Sequence, residues 1–151
     1  MAASQTLAGE ASPGFWTDTR RRRLRGVLAS IMIGIGVLHF AMPGPFVSIV
    51  PSALPYPRAL VLISGFFEVL GGVGLLVPRV RRAASVGLVL LYLAVFPANI
   101  NMTLHPEISA GIGIPTWALW ARLPLQAVFI AWALWVGGNG RPARQTDEAA
   151  R

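Results

Sequence analysis

The sequence predicts an all-α fold: a membrane-embedded up-and-down four-helix bundle with a proline-rich cap segment at its outer end. Three observations lead there. Four long apolar runs divide the chain, its arginines gather in alternate connections, and its composition is too apolar for a small water-soluble domain. The 151 residues are 54% hydrophobic and 13% charged, where a soluble chain of this size needs far more polar surface. All thirteen basic residues are arginine. Arg20, Arg21, Arg22, Arg23 and Arg25 precede the first run; Arg79, Arg81 and Arg82 separate the second from the third; Arg141, Arg144 and Arg151 follow the fourth. Basic loops stay in the cytoplasm, so the expected topology is multi-pass in the cell membrane with both termini cytoplasmic.

Residues 1–19 are polar and rich in Ala, Ser, Thr and Gly, which predicts a disordered cytoplasmic tail. Thr19 to Leu24 loosely matches a twin-arginine export signal. No small-x-small cleavage site closes the following apolar run, so that run reads as an uncleaved first span over residues 26–42. Gly26, Ser30 and Gly34 recur every four residues along it, a stripe that permits close helix contact, either within the bundle or between protomers. The connection from Met42 to Pro57 holds five prolines among Phe46, Val47, Ile49, Val50 and Leu54. Repeated proline opposes regular helix, yet the segment is too apolar for a wet loop. It is expected to fold back over the outer end of the bundle, as a lid over a cavity or as a simple cap.

Spans two, three and four are expected over residues 58–77, 83–101 and 116–136, completing a transmembrane domain of residues 20–137. A second disordered cytoplasmic tail follows at 138–151. Each span approaches the ~20 apolar residues that cross the hydrocarbon, where backbone groups must be satisfied internally and helices are required. Short connections make the four antiparallel. Trp117 and Trp120 near one end of span four, with Trp132 and Trp135 near the other, fit the two aromatic belts of a membrane helix.

Charged groups in hydrocarbon cost at least ~2.5–3.5 kcal/mol each on insertion scales, so the few present need a reason. Glu68 lies near the middle of span two, on a face with Val61, Ser64, Gly65, Gly71, Gly72 and Leu75. Arg122, on span four, is its expected ion-pair partner, with Glu68 roughly 6 Å deeper at 1.5 Å rise per residue. Gln126 shares the face of Arg122, and Pro124 between them frees a carbonyl as a further acceptor. His39 lies roughly 20 Å up span one, in the same outer half. Asn99 joins them from span three, on one face with Tyr92 and Ser85, whereas Asn101 points elsewhere. The five residues Glu68, Arg122, His39, Asn99 and Gln126 form a candidate intramembrane polar pocket. Two readings stay open: a structural ion pair with hydrogen-bonding satellites, or a pocket reached from outside or laterally from lipid.

Several chemistries are excluded. The chain has no cysteine, hence no disulfide, thiol relay or iron–sulfur ligation of its own. Bis-histidine haem needs two intramembrane histidines, and His105 belongs to the outer loop with Pro106 and Glu107. Zinc lacks ligands at suitable spacing, so no metal is expected. No glycine-rich phosphate loop precedes a helix, and no Ser–His–Asp set can be assembled. The net charge of +7 resides in arginines that flank apolar runs, which argues for membrane lipid as a partner and against nucleic acid.

With these residues in view, the chain resembles the DoxX-like family of small bacterial four-span membrane proteins. The matching strings are Gly34-Ile-Gly-Val-Leu-His-Phe40, the proline-rich stretch Phe46 to Pro57, Ile63-Ser-Gly-Phe-Phe-Glu-Val-Leu-Gly-Gly72, Leu75-Leu-Val-Pro-Arg79, Val95-Phe-Pro-Ala-Asn-Ile-Asn101 and Trp120-Ala-Arg-Leu-Pro-Leu-Gln126. They span the chain from about Gly26 to Trp135. The resemblance implies a four-helix membrane fold and, from some relatives, an accessory role in quinone-linked sulfur or thiol oxidation. Such a role here needs a bound quinone or a redox partner protein. His39, Asn99, Arg122 and Gln126 would donate hydrogen bonds to quinone carbonyls, with Glu68 as a proton shuttle. Two alternatives stand beside it. One is a binding or transport protein for a small apolar or amphipathic molecule, for which a homodimer would be needed if it transports. The other is a structural scaffold.

Overall fold

The computed structural model describes residues 13–107 and 113–138. Among them, four helices are long and apolar enough to cross a membrane. In chain order the elements are α1 (Pro13–Ala41), α2 (Pro43–Ser48), α3 (Pro57–Leu76), α4 (Arg81–Leu104) and α5 (Thr116–Gly137). The protein is a multi-pass helical membrane bundle. α1 packs on α3, α3 on α4 and α4 on α5, while α2 lies against α3 and α1.

The helix limits follow local chemistry. Proline sits in the first turn of α2 and α3, where its missing N–H would have had no intrahelical partner. α1 starts at Pro13 and runs 29 residues, about 43 Å, so its first turns outrun a hydrocarbon core of about 30 Å. Residues 13–19, expected in the disordered tail, are therefore helical; the arginines that follow are good helix formers and let the span extend beyond the lipid. The remainder of the tail predictions, 1–12 and 139–151, lies outside the described residues.

Two further expectations are corrected. The proline-rich connection does contain a helix, because Pro43 and Pro45 both fall in the first turn of α2, where proline is tolerated. α4 extends three residues beyond the expected end of span three and continues through Pro97, as membrane helices can when neighbours satisfy the freed backbone groups.

Glycines set how closely the helices approach. A Cβ on Gly65 would stand 2.5 Å from the Cβ of His39, and one on Gly36 would stand 2.7 Å from the Gly65 carbonyl. Gly72 similarly admits Ile33 and the Ala29 carbonyl, so α1 and α3 meet almost backbone to backbone. Gly71 and Gly74 admit Leu88 and Ala84 of α4. The small-residue stripe Gly26, Ser30 and Gly34, which permits close contact within the bundle or between protomers, takes no part in this one: a Cβ on Gly26 or Gly34 would meet nothing within 4 Å, and Ser30 is exposed. The contact face of α1 is Ala29, Ile33 and Gly36 instead.

The principal core cluster is Leu28, Ala29, Met32, Leu75, Leu88, Tyr92, Ala133 and Val136. A smaller one, Ile49, Met102 and Leu119, ties the cap segment to α4 and α5. Arginine closes the helix ends near the principal cluster. Arg21 donates from Nε (2.9 Å) and Nη2 (2.5 Å) to the Trp135 carbonyl, and Arg25 Nε donates to that of Val136 (3.1 Å). Arg81 Nε does the same for Leu75 at the end of α3 (3.1 Å). These are terminal carbonyls without intrahelical donors, at the negative end of the helix dipole. The same bonds place the start of the first span beside the end of the last, on one side of the bundle. Trp117, Trp120 and Trp135 are exposed, as anchors should be. Trp132 is not: it turns inward, stacked on Phe129 at 5.9 Å, and its Nε1 is buried without a partner among the described residues.

Candidate functional site

The site lies at the end of the bundle remote from the arginine clusters, between the two core clusters. His39 occupies the last turn of α1 and is buried, entering the space that Gly65 leaves by lacking a side chain. Its Nδ1 lies 2.8 Å from the Ile35 carbonyl. A carbonyl only accepts, so Nδ1 carries the hydrogen and donates it there. Phe46 of α2 stacks on the imidazole with centroids 3.8 Å apart, placing the cap segment directly over the ring.

Glu68, on α3, is 8% exposed, and its Oε2 lies 3.3 Å from His39 Nδ1. Because that N–H is directed at Ile35, Oε2 accepts no hydrogen bond among the described residues. The expected Glu68–Arg122 ion pair does not form, and the correction has a packing cause. α3 packs on α1 and α4, whereas α5 packs on α4, so the glycine-lined contact between α1 and α3 makes His39 the neighbour of Glu68.

Arg122, on α5, is half-buried, and its Nη1 donates to the thioether of Met102 at 3.4 Å. Among the described residues it forms no salt bridge. Met102 is 1% exposed, so the guanidinium is held toward the bundle interior and does not snorkel out to the interface. The remaining two predicted residues bond to each other. Asn99 Nδ2 donates to Gln126 Oε1 (2.7 Å), and Gln126 Nε2 donates to the Tyr92 carbonyl. Thr103 adds a bond from α4 to the Leu119 carbonyl of α5 (3.3 Å). The extra acceptors on these two proline-bearing helices are thus Tyr92 and Leu119. The expected carbonyl, that of Trp120 four residues before Pro124, receives no side-chain bond among the described residues.

All five predicted residues border one cavity of about 490 Å³. Most of its wall is apolar, from Met32 and Ile35 of α1, Phe46, Ile49 and Leu54 of the cap segment, and Val61, Leu91 and Val95 of the two central helices. α3 and α4 are clamped together by Gly71 and Gly74 near their connection. Toward the cap the seam parts, and the cavity reaches Leu60 and Ile63 on one side and Ala94 on the other, all three exposed. Leu54 of the cap segment also lines the cavity and is exposed, so the cavity meets the surface beside the two central helices and at the cap. The cavity residues that sequence reasoning does not single out as site members include Phe46, Ser64 and Tyr92. Phe46 belongs to the segment expected as a lid or cap, in which the sequence singles out no one residue; Ser64 looks like a small packing residue, and Tyr92 carries no signal beyond sharing the face of Asn99. Asn101 lies outside the cavity as expected, and its Nδ2 holds the cap segment by donating to the Ile49 carbonyl (3.2 Å). His105 is exposed beyond α4 and contacts Glu107 at 2.9 Å.

Residues 28–137 match the model of a family described as Domain of unknown function (DUF8561), and the chain belongs to that family. The matched segment contains every residue of the cavity. No curated protein and no solved structure matches the chain.

Proposed function

We propose that this DUF8561 protein binds a small amphipathic molecule drawn sideways from the bilayer, holding its polar head at Arg122 and its apolar body against the cavity wall. The observation that carries this reading is the cavity itself: apolar walls, exposed lining residues on both α3 and α4, and a guanidinium turned inward with no acidic partner among the described residues. A volume of about 490 Å³ lies within the range of pockets that enclose drug-sized molecules. A guanidinium has five N–H donors, and a thioether is a weak acceptor for one of them. The head of the ligand completes the set.

The DoxX-like resemblance supplies one class of such ligand, the quinones, with the protein as an accessory subunit of a membrane redox system. The location that goes with it is the cell membrane with both termini cytoplasmic. Its support is the arginine pattern together with the contact of Arg21 with the Trp135 carbonyl, which brings the start of the first span and the end of the last to the same side of the bundle. The polar network divides between roles. Asn99, Gln126 and Tyr92 satisfy one another across α4 and α5 and serve as structure, while Arg122, Glu68 and His39 retain capacity for a ligand.

Gentle extraction followed by lipid analysis and native mass measurement tests the reading. The expected result is a small amphiphile or quinone retained near one per chain, and lost from Val95→Trp, which fills the cavity at its portal. A chain that retains nothing beyond bulk phospholipid, and shows no saturable tryptophan quenching by a short-chain ubiquinone or a single-chain amphiphile, would overturn it.

A further inference from the structure

The charges around the cavity are not evenly matched. Glu68 and His39 face each other across 3.3 Å, whereas Arg122, among the described residues, has only the uncharged sulfur of Met102. Arginine does not shed its proton in proteins, so its charge persists in a wall that is otherwise mostly apolar. A cation held this way is costly unless something neutralises it. The planar guanidinium fork matches an acid group with two equivalent oxygens, in a bidentate arrangement that a single carbonyl oxygen cannot reproduce.

Accepting the reading of the cavity as a lipid-accessible binding site, we infer that its preferred occupant is a single-chain carboxylic acid, with the carboxylate on Arg122 and the chain leading toward the α3–α4 opening. Size selects a single chain. A cavity of about 490 Å³ does not take a two-chained phospholipid, although a phosphate head would offer similar oxygens. Entry from the bilayer suits a molecule that is already dissolved there as the neutral acid and ionises on meeting the guanidinium. The acid passes its proton to water on ionising, so the step needs no other reactant.

The experiment uses the full chain in nanodiscs of zwitterionic lipid and follows tryptophan fluorescence during titration with decanoate, methyl decanoate and a short-chain ubiquinone. The expected order is decanoate well ahead of both neutral probes. Arg122→Gln should weaken decanoate by roughly 10- to 100-fold, the scale of a charge-assisted bidentate contact, and leave methyl decanoate little changed. Arg122→Lys, which keeps the charge but loses the fork, should fall between. If Arg122→Gln does not fold, the wild-type comparison of acid with ester still decides. Equal binding of acid, ester and quinone overturns the carboxylate assignment and leaves the amphiphile-binding reading standing. Displacement of decanoate by anionic phospholipid at equal bilayer fraction would also overturn it, in favour of a lipid headgroup. Saturable binding of none of the probes removes both readings.

Discussion

At the residue scale, the polar groups within the membrane do different jobs according to how many partners each has. Gln126 accepts from Asn99 and donates to the Tyr92 carbonyl, so its loss strands groups on two sides. Replacement of Gln126 by Leu should lower stability in detergent by roughly 1–2 kcal/mol, more than Asn99→Ala. This exceeds the average intramembrane hydrogen bond of ~0.6 kcal/mol because both bonds go at once. Thermal unfolding of the two variants checks the order. Arg21 and Arg25 answer to a different logic, since each closes carbonyls at the end of α5. Arg21→Ala should cost about 1 kcal/mol and loosen the last turn of α5, read as faster amide exchange at Gly137 and Gly138. The sequence made the polar residues themselves legible, because a charge inside an apolar run is conspicuous. It did not disclose their partners. Glu68 and Arg122 are opposite charges at compatible depths, but pairing depends on which helices are neighbours, and depth alone carries no information about that.

At the element scale, helix order is set by where side chains are missing. The α1–α3 contact rests on Gly36, Gly65 and Gly72, and the α3–α4 contact on Gly71 and Gly74. Gly65→Ala places a methyl 2.5 Å from the His39 Cβ, too close for either helix to remain in place. Overpacking of this kind costs about 1–3 kcal/mol, and here it should also displace His39 from Glu68. Gly34→Ala on the exposed stripe should be silent, since nothing lies within 4 Å. A comparison of unfolding midpoints for the two alanine variants separates the faces. Helix positions were readable from hydropathy to within a few residues for α3 and α5. The start of α1 and the helical character of α2 were not. The start of α1 falls in a segment whose polar composition reads as a tail, and α2 in one where proline reads as a breaker, although proline in the first turn of a helix is a good starter. The choice between neighbouring faces of α1 is invisible in one sequence, because Gly26, Ser30 and Gly34 are uniformly small whereas the face in contact, Ala29, Ile33 and Gly36, includes a bulky residue.

At the scale of the whole molecule, the bundle is clamped at one end and parted at the other. Arginine caps, the Gly71 and Gly74 contacts and most of the principal core consolidate the arginine-rich half. The opposite half holds the smaller cluster, the cap segment and the cavity. Asn101 and the Ile49–Met102–Leu119 cluster fasten the cap there, so Asn101→Ala should loosen the segment without unfolding the bundle. Protease nicking between Ser52 and Tyr56, all exposed, should rise while the thermal midpoint shifts by less than about 1 kcal/mol in equivalent stability. The overall architecture follows from the alternating arginines and four runs of sufficient length. The cavity does not, since an internal volume is a property of how helices diverge.

Photolabelling tests the central claim most directly. A single-chain amphiphile bearing a diazirine near its tail, equilibrated with the protein in nanodiscs and mapped by mass spectrometry, reports which residues line its resting place. The account predicts saturable labels on Leu60, Ile63, Ala94 and Val95, suppressed by unlabelled competitor and by Val95→Trp. Labels distributed without saturation over outward residues such as Phe66, Phe67, Val86 and Leu90 would contradict it.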